Sequence, residues 1–136
     1  MISTKRTVKW VTLAAVSVAS ATLLGGTAAA QSPSATLTVT PSTNLDPEQQ
    51  VSVSVSDMTP NRQIILVECS ADGRCYLIGG PVTDGSGNVS ATVTVYRHMS
   101  WGENDNYDCN TPGGGCYVAA SDPDTGELPK VPISFR

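Results

Sequence analysis

Four cysteines carry most of the chemistry open to this chain, and they fall in two close pairs, Cys69 with Cys75 and Cys109 with Cys116. Thiolates grouped this way can ligate zinc, cycle as a redox couple, or close as disulfides. Zinc knuckles favour two to four intervening residues, whereas five and six intervene here. An even number of cysteines in a small exported domain points to disulfides. Sequence alone leaves all three pairings open. Local pairing is the most economical, each bridge then closing a loop of about six to eight residues and contributing roughly 2 kcal/mol.

The remaining reactive residues form no catalytic constellation. His98 is the sole histidine, and no serine lies in a Gly-x-Ser-x-Gly setting, so a hydrolytic triad has no support in the pattern. Asp105 with Asp108, and Asp122 with Asp124 and Glu127, lie in turn-like sequence. There they read as solvated carboxylates, and the twelve-residue spacing of a calcium loop is missing. No catalytic residue, metal ligand or resident cofactor is assigned, and a non-enzyme is expected.

The elements that must position these residues are strands. In "ATLTVTP", "VSVSVSDM" and "NVSATVTVY", valine, leucine or alanine alternates with serine or threonine. That is the period-two pattern of a strand with one buried and one wet face. "QIILVEC" (63–69) is apolar almost throughout and reads as a central strand covered on both sides. "CYVAAS" and "VPISF" supply two more strands, the last an edge, because Pro132 has no amide hydrogen to donate. "DGSGN" (84–88) reads as a hairpin turn. Arg97 to Asn106, "RHMSWGENDN", has the least strand character and reads as a long loop of the kind that carries binding. Six or seven short strands without an amphipathic helix predict an all-β, immunoglobulin-like antiparallel sandwich.

Residues 1–30 read as a secretory signal peptide: Lys5, Arg6 and Lys9, then the apolar "VTLAAVSVASATLLGG", then Ala28-Ala29-Ala30. Residues 31–136 then form one domain, secreted and expected to be monomeric. Past residue 30, five basic residues face twelve acidic ones, a net charge of −7 with His98 neutral. Such a surface disfavours direct binding to nucleic acid or anionic membrane.

Taken in order, these pieces resemble the neocarzinostatin family of enediyne-binding apoproteins. The likeness rests on "ATLTVTPSTNLDPEQQVSVSVSDMTP", on "ILVEC" ending in the first cysteine, on "VTDGSGNVSATVTVYR", and on "DC" followed by "CYVAASD" and "VPISF". The resemblance implies a seven-stranded sandwich with a small two-stranded ribbon, and disulfides Cys69–Cys75 and Cys109–Cys116. It also implies a cleft holding a small apolar enediyne chromophore without covalent attachment. In the family the protein carries and shields that chromophore, an antimicrobial and self-protective role. The chromophore, not the protein, cuts DNA.

Carried onto this chain, the ligand-binding candidates are Glu68, Tyr76, Leu77, Trp101, Tyr107, Tyr117 and Ser121. Glu68 stands where neocarzinostatin has glutamine, Ala71 where it has tryptophan, and Tyr117 where it has a glutamine. The loop before Cys109 lacks neocarzinostatin's pair of phenylalanines. The alternative is an exported immunoglobulin-like interaction domain with no small-molecule ligand.

Overall fold

The computed structural model describes residues 34–136; the expected signal peptide lies outside them. The alternating stretches form β1 (Thr36–Thr40), β2 (Glu48–Ser56) and β5 (Val89–Tyr96), which make a three-stranded antiparallel sheet in the order β1-β2-β5. Its valines point inward: Val39, Val51, Val53, Val55, Val93 and Val95 are all buried. Its hydroxyls point outward and meet across strands, Thr36 with Ser56 and Ser54 with Ser90.

The facing sheet has four strands in the order β4-β3-β8-β9, built from β3 (Ile65–Ser70), β4 (Cys75–Gly79), β8 (Cys116–Ser121) and β9 (Lys130–Ile133). Leu66, Val118, Ala120 and Ile133 face the three-stranded sheet and complete the core. Beyond β9 the chain bridges the layers: Leu45 N donates to Ser134 O at 3.0 Å, and Arg136 N donates to Leu45 O at 2.8 Å. Seven strands in two layers, with both disulfides paired locally, match the sandwich implied by the resemblance. Pro132 lies in β9 at the sheet edge, as its missing amide requires.

Four expectations are corrected. The stretch 97–106, read as a long loop, instead holds β6 (His98–Gly102) and the start of β7 (Asp105–Asp108), and these two strands pair as the ribbon. The ribbon buries Met99 and half-buries Trp101 and Tyr107 against the core, a face too short and irregular to show as alternation.

"DGSGN" does turn the chain, with Gly87 N on Asp84 O at 3.0 Å and Asp84 N on Asn88 O at 2.9 Å. However, it joins β4 to β5, which belong to different sheets, so the turn is a crossover and not a hairpin. Gly87 has φ +81°, and a Cβ there would collide with the Met58 carbonyl, so only glycine fits.

The segment 63–69 is central in its sheet, but its outer side is covered only in part: Ile65 is 41% exposed and Val67 half-buried, while Cys69 is buried. The turn carboxylates, read as solvated, are largely engaged. Asp122 is fully buried, while Asp105 and Asp108 pair with Arg74 and Arg97, and Asp124 pairs with Arg62.

Candidate functional site

Strand register decides which side chains share a face. Ile65 pairs with Ser121, Val67 with both Leu77 and Ala119, and Cys69 with both Cys75 and Tyr117. These residues therefore lie together on the outer face of the four-stranded sheet, opposite to Leu66 and Val118. Leu77 is 72% exposed and Ile65 is 41% exposed, with Val67 and Tyr117 half-buried beside them. The Cys69–Cys75 bridge crosses the same face at the hairpin end. Lys130 Nζ stands over the Tyr117 ring, 5.0 Å from its centre, a cation–π contact. Of the seven ligand candidates, the structure brings Leu77, Tyr117 and Ser121 onto this face.

The other four lie elsewhere. Tyr76 pairs with Glu68 in register, and both take the inward side. Tyr76 stacks on Trp101 with ring centres 5.1 Å apart, and its hydroxyl both donates to and accepts from the Ser100 backbone. Arg74 also lies over Trp101, 4.3 Å from the ring centre, and bridges Asp72 and Asp105. Trp101 Nε1 donates to Cys75 O at 3.5 Å. Tyr107 Oη donates to Gly115 O at 3.0 Å and accepts from Gly115 N at 2.9 Å. These contacts pin the ribbon against the β3–β4 hairpin and the Cys109–Cys116 loop. Beside the stack, a groove of about 350 Å³ is lined by Tyr76, Leu77, Ile78, Tyr96 and His98.

Glu68 is fully buried and accepts a hydrogen bond from Tyr96 N at 2.8 Å. Burial pushes its carboxyl up to about 7, against the smaller downward pull of the Tyr96 amide. Asp122 shows the opposite balance. Burial pushes it up, but hydrogen bonds from Thr59 N, Thr59 Oγ1 and Asp124 N, all at 2.7–2.9 Å, outweigh burial and hold it below the usual carboxylate range. The acidic turn offers no convergent cation cage. Asp122 serves Thr59, Asp124 bridges Arg62, and Glu127 accepts from Ala35 N.

Sequence reasoning did not single out Ile65, Val67 and Arg74. The first two were hidden in an apolar run that looked covered on both sides. Their exposure follows from register with Leu77 and Ser121, which a hairpin centred on "ADGR" could have supplied. Nothing in the sequence signals that Arg74 would lie over Trp101.

Among solved structures, macromomycin superposes with a TM-score of 0.63 at 22% identity, over 76% of this chain and all of that one. Apokedarcidin, known from its solution conformation, superposes with a TM-score of 0.58 at 28% identity, also over 76% of this chain and all of that one. No curated protein sequence matches the chain. The sequence model of the neocarzinostatin family matches residues 37–135. With the sandwich, the ribbon and both local disulfides in place, that match over most of its length establishes that this chain belongs to the neocarzinostatin family.

Proposed function

We propose that this protein is an exported, non-enzymatic carrier that holds a small apolar ligand of the enediyne chromophore class without covalent attachment. The ligand's seat is the outer face of the four-stranded sheet, and its shielding protects the producing cell. Family membership supports the carrier role, and apokedarcidin supports it further as a relative at 28% identity. The observation that carries the reading is the apolar strip of exposed Ile65 and Leu77 with half-buried Val67 and Tyr117, bordered by the hydroxyl of Ser121. A leucine left 72% exposed adds little burial to the sandwich itself. Apolar walls with a few polar groups at the margin are what a small apolar ligand requires.

A second reading is favoured by the ribbon. Tyr76, Trp101 and Arg74 fill the space between ribbon and hairpin with their own side chains. That closure suits an interaction domain that has kept the sandwich without a ligand.

Native mass spectrometry of the protein taken from its producer's culture medium separates the two. The carrier reading expects a mass above that of the oxidised chain, with the adduct lost on organic extraction. The oxidised chain alone, with no adduct, overturns it. With the extracted ligand in hand, Leu77→Asp weakens rebinding about tenfold or more, the order of effect of exchanging one buried aliphatic contact for a charge.

A further inference from the structure

We propose that the Cys109–Cys116 bridge is a site of thiol–disulfide exchange with small thiols, in which Glu68 delivers the proton to the departing Cys109 sulfur. The bridge has two different sides. On one, it lines a groove of about 440 Å³ together with Ala71, Gly115, Tyr117 and Pro132. The run Gly113-Gly114-Gly115 puts no side chain over it, and a Cβ at Gly115 would meet nothing within 4 Å. Cys109 and Cys116 keep 7% and 4% of their surface, and both line this groove.

On the other side stands Glu68. Its Oε1 is taken by Tyr96 N, while Oε2 lies 3.9 Å from Cys109 Sγ. A cystine sulfur has no hydrogen to give, so among the described residues Oε2 has no donor. A carboxyl oxygen and both sulfurs lie within 4.8 Å of one another, all buried.

The step balances as follows. A small thiolate attacks Cys116 Sγ, forming a mixed disulfide and breaking the Cys109–Cys116 bond. The bonding pair leaves on Cys109 Sγ, and protonated Glu68 gives that sulfur its proton. A second small thiolate then attacks the mixed disulfide, releasing Cys116 and the oxidised small thiol. Two small thiols are oxidised and one bridge is reduced. With Glu68 ionised, the departing thiolate would sit beside a carboxylate in the apolar interior, which disfavours its release.

The charged and titratable groups around Glu68 leave this proton to it. Arg97, after β5, and Asp108, on β7, satisfy each other at 2.8 Å, and His98 on β6 is 65% exposed and lies 3.9 Å from Asp108. Tyr76 on β4 is bound to Ser100, Asp72 in the hairpin turn is bound to Arg74, and the inward residues of β8 and β9 at this level, Val118 and Ile133, do not titrate.

The test is reduction by dithiothreitol from pH 5.5 to 8.5, quenched by alkylation and mapped bridge by bridge. The Cys69–Cys75 bridge in the same tube, on the opposite face of β3 from the Glu68 carboxyl, corrects for the thiolate fraction of the reagent. In the native protein the rate ratio of Cys109–Cys116 to Cys69–Cys75 falls as the pH rises through about 7. In Glu68→Gln the ratio loses this dependence and drops at pH 6 by about a hundredfold, the low end of what a positioned general acid supplies. Glu68→Asp, which keeps an acid with a shorter reach, retains the dependence at reduced amplitude. A native ratio that does not change with pH overturns the proposal, as does a Glu68→Gln profile that matches the native one. If a variant loses its fold, both bridges reduce at the rate of an open chain, and the native profile alone then decides.

Discussion

Glu68 shares its side of β3 with Leu66 and faces Val118, positions that an apolar residue would fill in most sandwiches. Alternation in the sequence put it opposite Val67 and Cys69 but could not say which side was the core. It stood among the ligand candidates, and the structure puts it in the core. The cost is moderated by keeping the proton, and this gives stability a defined pH dependence. The folded carboxyl titrates at about 7 and the unfolded one at 4.5, so between those values the native state binds the extra proton. The stabilisation is fully present below about pH 4.5 and is lost as the pH rises through 7, roughly 3 kcal/mol in all. Thermal melts at pH 5 and pH 8 are expected to show the native protein losing stability over this range. Glu68→Gln, which can still accept from Tyr96 N, loses less and is the more stable of the two at pH 8. Asp72 and Asp108, held near 2 chiefly by a hydrogen bond from Ser70 and by Arg97 respectively, act only at lower pH and in the opposite sense. An unchanged difference between the two proteins at both pH values would contradict the assignment.

At the scale of elements, the parts legible in the sequence were those with long, regular alternation. β1, β2 and β5 could be read directly because valine and threonine or serine repeat at period two over five to nine residues. The ribbon could not be placed, because a bulge between Ser100 and Gly102 breaks its register and its packed face consists of Met99, Trp101 and Tyr107 alone. The candidate site was legible only in part for a related reason. Tyr76 and Leu77 are neighbours in sequence, so a strand sends them to opposite sides; an aromatic cluster around the cysteines says nothing of that division. The Tyr76–Trp101–Arg74 stack is one hold on the ribbon, beside buried Met99 and the Tyr107–Gly115 hydrogen bonds. Trp101→Ala removes an aromatic pair and a cation–π contact, about 1–2 kcal/mol together. Amide hydrogen exchange is expected to speed up in β6 and β7 while β2 and β5 stay protected. Equal loosening of the whole sandwich would mean that the stack serves global stability rather than docking.

Over the whole molecule, the five basic and twelve acidic residues past residue 30 make a repulsive field for other polyanions. Fluorescence anisotropy with a labelled DNA duplex at about 50 mM salt, where electrostatic binding is strongest, is expected to show no association; salt-sensitive binding would contradict it. The same field bears on contacts between copies of the chain, as do the sheet borders. A strand border with free amides and carbonyls is a template for another strand. At β9, Pro132 withholds an amide, and Lys130 adds a charge beside it. At β4, the indole of Trp101 occupies the Cys75 carbonyl and the ribbon lies against the first residues of the strand. The ribbon, which contributes few side chains to the interior, thus acts as a guard rail against fibrillar stacking. A chain that loses it would lay "CYLIG" open as a sticky seam, and its first failure on storage would be aggregation while the sandwich itself was still folded.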